Sequence, residues 1–88
     1  MDFWNKQAKW ILKAELVKRG ISNEILATKL NDFGFKETKS SIDSKISRGT
    51  FSAAFFLKCL HVLNCKQLLL ESQNPLENSN KLNPEIQN

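Results

Sequence analysis

Between Phe3 and Arg19 the apolar residues Trp4, Ala8, Ile11, Leu12 and Leu16 recur every three or four positions, with no glycine or proline among them. That spacing is the period of a helix buried on one face, and the Lys, Ala, Leu and Glu around it are good helix formers. Lys18 and Arg19 suit the negative end of the helix dipole, and Gly20 can take the left-handed conformation that ends it. A second, shorter pattern follows. Ser22 can cap it, Glu24 lies in its first turn, and Ile25, Leu26, Ala27 and Leu30 form its stripe, ending at about Asn31 or Phe33 before Gly34.

Thr38 is the N-cap of a third predicted helix, in which Ile42 and Ile46 are the only large apolar residues before Gly49. On the helical wheel Ser40, Ser41, Ser44, Ser47 and Arg48 fall away from the two isoleucines, with Lys39, Asp43 and Lys45 on the margins. Ser52 caps a fourth helix, 53–63, that is apolar nearly all round and is therefore expected to be the central, most buried element. Asn64 can act as a left-handed stop, and Lys66 to Glu71 reads as a short fifth helix carrying Leu68, Leu69 and Leu70. From residue 72 the chain turns to five Asn, two Pro and isolated aliphatics, which predicts a disordered tail. The expected architecture is all-α: a compact bundle of about five short helices in residues 1–71, with residues 72–88 as a tail. No internal repeat or strand pattern is present.

Composition narrows the function. Eighty-eight residues suffice for one small domain, and 41% hydrophobic with 25% charged residues are ordinary values for a folded one. Residues 1–70 carry 12 Lys and Arg against 6 Asp and Glu, whereas residues 71–88 carry 1 against 3. A basic folded part suits a polyanionic partner, and a solvated lysine surface accounts for the same charge. Cys59 and Cys65 are six apart, a spacing of neither a CxxC pair nor a zinc site, and are expected to be reduced and packed as small hydrophobes. A single His61, no glycine-rich phosphate loop, no nucleophile elbow and no paired carboxylates argue against an enzyme, and neither a metal nor a cofactor is expected. The apolar runs are too short to cross a bilayer and the start of the chain lacks a signal-peptide pattern, so the expected location is the cytoplasm, with no membrane partner.

The segment Gly20 to Leu30, "GISNEILATKL", resembles the first half of the helix-turn-helix in phage-repressor-like (lambda-repressor-like, XRE-type) regulators: a glycine, a capping Ser, a short polar residue, then Leu-Ala. "IDSKISRG", Ile42 to Gly49, resembles the end of their recognition helix, and "FFLKCLHVLNC", Phe55 to Cys65, the core helix that follows. Taken whole, residues 4 to 70 look closest to a family of short bacterial helix-turn-helix domains of unknown function with a "KISRGTFSAAF"-type segment. The chain departs from the common repressor pattern at the turn, where Gly34 lies seven residues after Ala27 rather than about four. A longer turn changes the angle at which the third helix docks.

The resemblance implies a double-stranded DNA-binding regulator, a small repressor, with the third helix (Thr38 to Arg48) in the major groove. Ser22 and Thr38, at the positive ends of two helices, are expected to hold phosphates. Asn23 takes the place of a residue that contacts phosphate and base edge. Lys39, Ser40, Ser41, Ser44 and Lys45 are the expected reading and backbone-holding side chains, since Ser donates or accepts and Lys favours guanine or phosphate. Four serines in eight residues are a poor choice for stabilising an exposed helix, which favours contact over a bare solvated face. Arg48 has two readings, a phosphate contact or an ion pair with Glu15 in the apolar stripe of the first helix, and the pair is slightly preferred.

Phe3, Trp10 and Val17 lie seven apart on a second face of the first helix. That face is either a wider buried surface or the seam of a homodimer or protein partner. The alternative function is accordingly a protein-interaction module, antitoxin-like or an adaptor.

Overall fold

Four side chains, Asp2, Ser22, Thr38 and Ser52, each accept a hydrogen bond from the backbone N–H three residues on, in a computed structural model that describes residues 2–68. Each caps one helix: α1 (Phe3–Arg19), α2 (Asn23–Asp32), α3 (Lys39–Arg48) and α4 (Ala53–Val62). A cap of this kind contributes about 1 kcal/mol, because it satisfies one of the N–H groups that the first turn leaves without a partner. Among the described residues the protein is all-helical, with no strand. Residues 65–68 are not helical, so the expected fifth helix does not begin at Lys66. The rest of that segment, and the expected tail, lie outside the described residues.

The core is built from one stripe of each helix: Leu12 and Leu16, then Leu26, Ala27 and Leu30, then Ile42 and Ile46, then Phe55, Cys59 and Val62. α3 packs against both α1 and α2, and α2 packs against α4. The two isoleucines of α3 are fully or almost fully buried, which turns its serine face outward.

The ends of α1 are fastened at two places. Gly49, at φ +70°, ends α3 so close to the start of α1 that a Cβ there would lie 2.7 Å from the Asn5 carbonyl oxygen. At the other end Glu15 is buried and accepts from Arg19 Nη1 and, at 3.2 Å, from Lys18 Nζ. Arg19 Nε also donates to the Leu63 carbonyl at 3.0 Å, which ties α1 to the end of α4. The expected Glu15–Arg48 ion pair is therefore not formed. Arg19, four residues on along the same helix, reaches Glu15 without any tertiary requirement, and Arg48 is exposed.

Three burial expectations also fail. Trp4 is 75% exposed rather than in the core stripe: eight residues before Leu12 at about 3.6 residues per turn, it lies about 80° round α1 from that fully buried leucine. Ile25 is half exposed at the first turn of α2. α4 is apolar nearly all round but is covered on one side only among the described residues, leaving Leu57 63% exposed.

Candidate functional site

The start of α2 meets the middle of α3. Asn23 Nδ2 donates to Asp43 Oδ1 at 2.7 Å, and Lys39 Nζ donates to Asp43 Oδ2 at 2.7 Å. The hydrogen bonds from Lys39 and then Asn23 hold the Asp43 carboxyl below its ordinary range, and the same carboxylate raises the Lys39 ammonium. Two of the residues expected to face DNA are thus joined through an aspartate.

A second carboxylate organises the far flank of α3. Glu37 accepts from Ser41 Oγ at 2.6 Å and from Lys45 Nζ at 2.7 Å. Burial pushes the Glu37 carboxyl up, and the hydrogen bonds from Lys45 and Ser41 outweigh it and hold the group below its ordinary value. Lys45 Nζ also lies 4.7 Å from the centroid of the Phe55 ring. Asn31 Nδ2 donates to the Glu37 carbonyl at 2.8 Å, so the end of α2 fixes the loop that delivers α3. Ser41 completes a reciprocal cap, accepting from the Thr38 N–H at 3.2 Å while its own N–H donates to Thr38 Oγ1 at 3.0 Å.

What remains outward on α3 is Ser40, Ser44, Ser47 and Arg48, all exposed, and among the described residues none of these four side chains makes a hydrogen bond or ion pair. Ser22 and Thr38 use their hydroxyl oxygens as caps, and each O–H proton can still be donated outward. Of the sequence-expected residues, then, Ser22, Thr38, Ser40, Ser44 and Arg48 are outward, Asn23 and Lys39 are joined to Asp43, and Ser41 and Lys45 are held by Glu37.

Sequence reasoning passed over Asp43 and Glu37 as organising residues, although the four-residue spacings Lys39–Asp43 and Glu37–Ser41–Lys45 were there to be read. It also passed over Lys9 and Lys13, and placed Ser47 on the polar face without naming it as a contact. These three, with Ser22, Asn23 and Asp43, rim a groove of about 290 Å³ floored by Leu16, Ile21 and Ile46.

Other chemistry is sparse. Among the described residues no group of three or more His, Cys, Asp and Glu side chains could hold a metal ion. Cys59 and Cys65 are both free, and burial pushes the Cys59 thiol up to about 12. His61 is exposed, edge-on to Phe33 at 5.0 Å between ring centroids. No helix among the described residues is long and apolar enough to cross a membrane. Phe3, Trp10 and Val17 are 40%, 42% and 78% exposed, so the second face of α1 is not covered by described residues.

A family model described as a domain of unknown function (DUF6471) matches residues 4–68. No curated protein and no solved structure matches the chain.

Proposed function

We propose that this chain, which belongs to the DUF6471 family of domains of unknown function, is a double-stranded DNA-binding helix-turn-helix domain. In this reading α2 and α3 are the two helices of the motif, and the domain serves as a small transcriptional repressor in the cytoplasm. The observation that carries the reading is the outward face of α3. The side chains of Ser40, Ser44, Ser47 and Arg48 make no hydrogen bond or ion pair among the described residues, while Ile42 and Ile46 anchor the opposite side of the same helix in the core. A helix about 10–12 Å across fits a major groove about 12 Å wide, and short hydroxyl side chains let its backbone approach the base edges.

Lys39 exchanges Asp43 for a DNA phosphate when the duplex arrives, and Arg48 takes a phosphate at the far end of α3. Ser22 and Thr38, at the positive ends of α2 and α3, donate to phosphate oxygens. Ser44 and Ser40 read base edges, with Asn23 beside them. Ser41 and Lys45 support the helix through Glu37 rather than reaching the bases.

The test is an NMR titration of labelled protein with a random-sequence duplex at low and then moderate salt. Amide shifts clustered at Ser22 to Glu24 and Thr38 to Ser44 that fade with salt are expected, because the phosphate contribution does not depend on sequence. Lys39→Ala should weaken binding to every duplex and shallow the salt slope by about one unit.

A second reading rests on the exposure of Phe3, Trp10 and Val17, which suits a protein-interaction module in which DNA binding is secondary. Absence of any shift at low salt would favour it and sink the DNA reading.

A further inference from the structure

The basic side chains of this domain fall into two groups. Lys18 and Arg19 are paired with Glu15, Lys39 with Asp43 and Lys45 with Glu37. Among the described residues no carboxylate lies within ion-pair distance of Lys6, Lys9, Lys13, Lys29, Lys36, Arg48, Lys58 or Lys66. Of these, Lys9 and Lys13 line one groove and are held in place. Their Nζ atoms lie 5.9 and 5.7 Å from the centroid of the Trp10 ring, and Lys9 Nζ also donates to the Ser47 carbonyl at 3.2 Å.

Both lysines stand on the rim of the groove between α1, the start of α2 and the outer half of α3. The same groove is lined by Ser22, whose O–H can donate, at the positive end of α2. Asp43 also lines the groove, and both of its oxygens are occupied, by Asn23 and Lys39. Two lysines without a carboxylate partner among the described residues therefore share a groove with the start of α2 and with Ser47 on the proposed reading helix.

We infer that this groove is a second phosphate-binding site. Lys9 and Lys13 of α1 hold consecutive phosphates of the same DNA strand whose bases α3 meets. The inference rests on the DNA reading and extends the footprint from two helices to three. Pre-ordering on Trp10 matters because a free lysine loses side-chain entropy when it grips a phosphate, whereas a stacked one has already lost much of it. Such contacts carry no sequence information, so the site adds affinity and fixes register without changing which bases are preferred.

The experiment compares the full chain with Lys9→Gln/Lys13→Gln and with Lys9→Arg/Lys13→Arg, following duplex affinity across a salt series. Thermal melts serve as a check on folding. Losing two phosphate contacts should shallow the log–log salt slope by about 1.8 units, and weaken every duplex by a similar factor. The arginine pair, which keeps charge and stacking, should restore the slope. A second readout is the fluorescence of Trp10 in a Trp4→Phe background: DNA should shift it as the lysines turn from the ring to phosphate. If the wild-type chain binds duplex with a salt slope that the glutamine pair leaves unchanged, the second site is overturned and the reading by α3 stands. If the wild-type chain binds no duplex at low salt, both fall together.

Discussion

Asn23, the first residue of α2, and Asp43, in the middle of α3, are joined by a 2.7 Å hydrogen bond whose acceptor carboxylate also holds Lys39. This aspartate links two helices and at the same time places a negative charge beside the proposed phosphate path. Duplex binding must release Lys39 from Asp43, so the carboxylate acts against non-specific binding. Asp43→Asn keeps an acceptor for Asn23 and removes the charge. We expect it to tighten binding to random duplex by about threefold to tenfold at low salt, with the gain shrinking as salt rises. Fluorescence anisotropy with a labelled duplex would measure this, and weaker binding would contradict the assigned role.

Ser44 lies at the centre of the outward face and makes no hydrogen bond among the described residues. Its loss should therefore leave folding intact. Alanine is the better helix former, so Ser44→Ala should raise stability by roughly 0.3–0.5 kcal/mol in urea denaturation. Selection of bound duplexes from a random library should return a different preferred sequence for the variant, while affinity for non-selected duplex stays within a factor of about two, since serine holds bases rather than phosphates in this reading. An unchanged preference would remove Ser44 from the reading set.

Gly49 and Gly34 both have positive φ, and they should differ sharply when replaced. An alanine at Gly34, φ +87°, meets nothing within 4 Å and carries only the left-handed strain of about 1–2 kcal/mol. At Gly49 the added carbon would lie 2.7 Å from a backbone oxygen of Asn5, so α3 and α1 must separate as well. We expect Gly49→Ala to cost at least about 1 kcal/mol more than Gly34→Ala in urea denaturation. Amide shifts should concentrate at the first turn of α1 and the last turn of α3. Equal costs would mean that the close approach does not constrain the two helices.

Burial pushes the Glu15 carboxyl up, but hydrogen bonds from Arg19 and Lys18 outweigh it and lower the group below its ordinary value. The unfolded chain therefore takes up a proton at this site more readily than the folded one. The stability that Glu15 contributes is complete above the unfolded value of about 4.3 and is lost as pH falls through the lower folded value. Urea midpoints should be level near neutrality and fall below about pH 4.5. Glu15→Gln should lower the neutral plateau, as a buried charge-assisted bond worth about 1.5–3 kcal/mol becomes a neutral one, and should make the acid limb shallower. Glu37 and Asp43, lowered in the same way, keep part of that limb.

The helix ends were legible because they are local. A serine or threonine that accepts from the N–H three residues on needs no information from the rest of the chain, and Ser22, Thr38 and Ser52 each start a helix at the expected place. Gly20 and Gly49 stop α1 and α3 for an equally local reason, and Ile42 and Ile46 turn the serine face of α3 outward by helical period alone. The proposed reading face is thus a property of the sequence.

Partner choice is not local, and there the tertiary structure decided. Glu15 takes Arg19 and Lys18 from its own helix, but only the tertiary docking brings the Leu63 carbonyl, just past the end of α4, onto Arg19. Trp4 recurs at helical spacing before Ala8 and Leu12 but lies about 80° round α1 from Leu12 and about 120° from Leu16, and the docking of α1 leaves it exposed. Lys9 and Lys13 look like any surface lysines along the chain, and become a groove rim only where α1, α2 and α3 converge. Caps and period were therefore determined by the sequence alone, because they act within one turn of helix. Which side chains meet across helices was set by the lengths and docking of four helices, since charge and burial depend on distances that no spacing along the chain encodes.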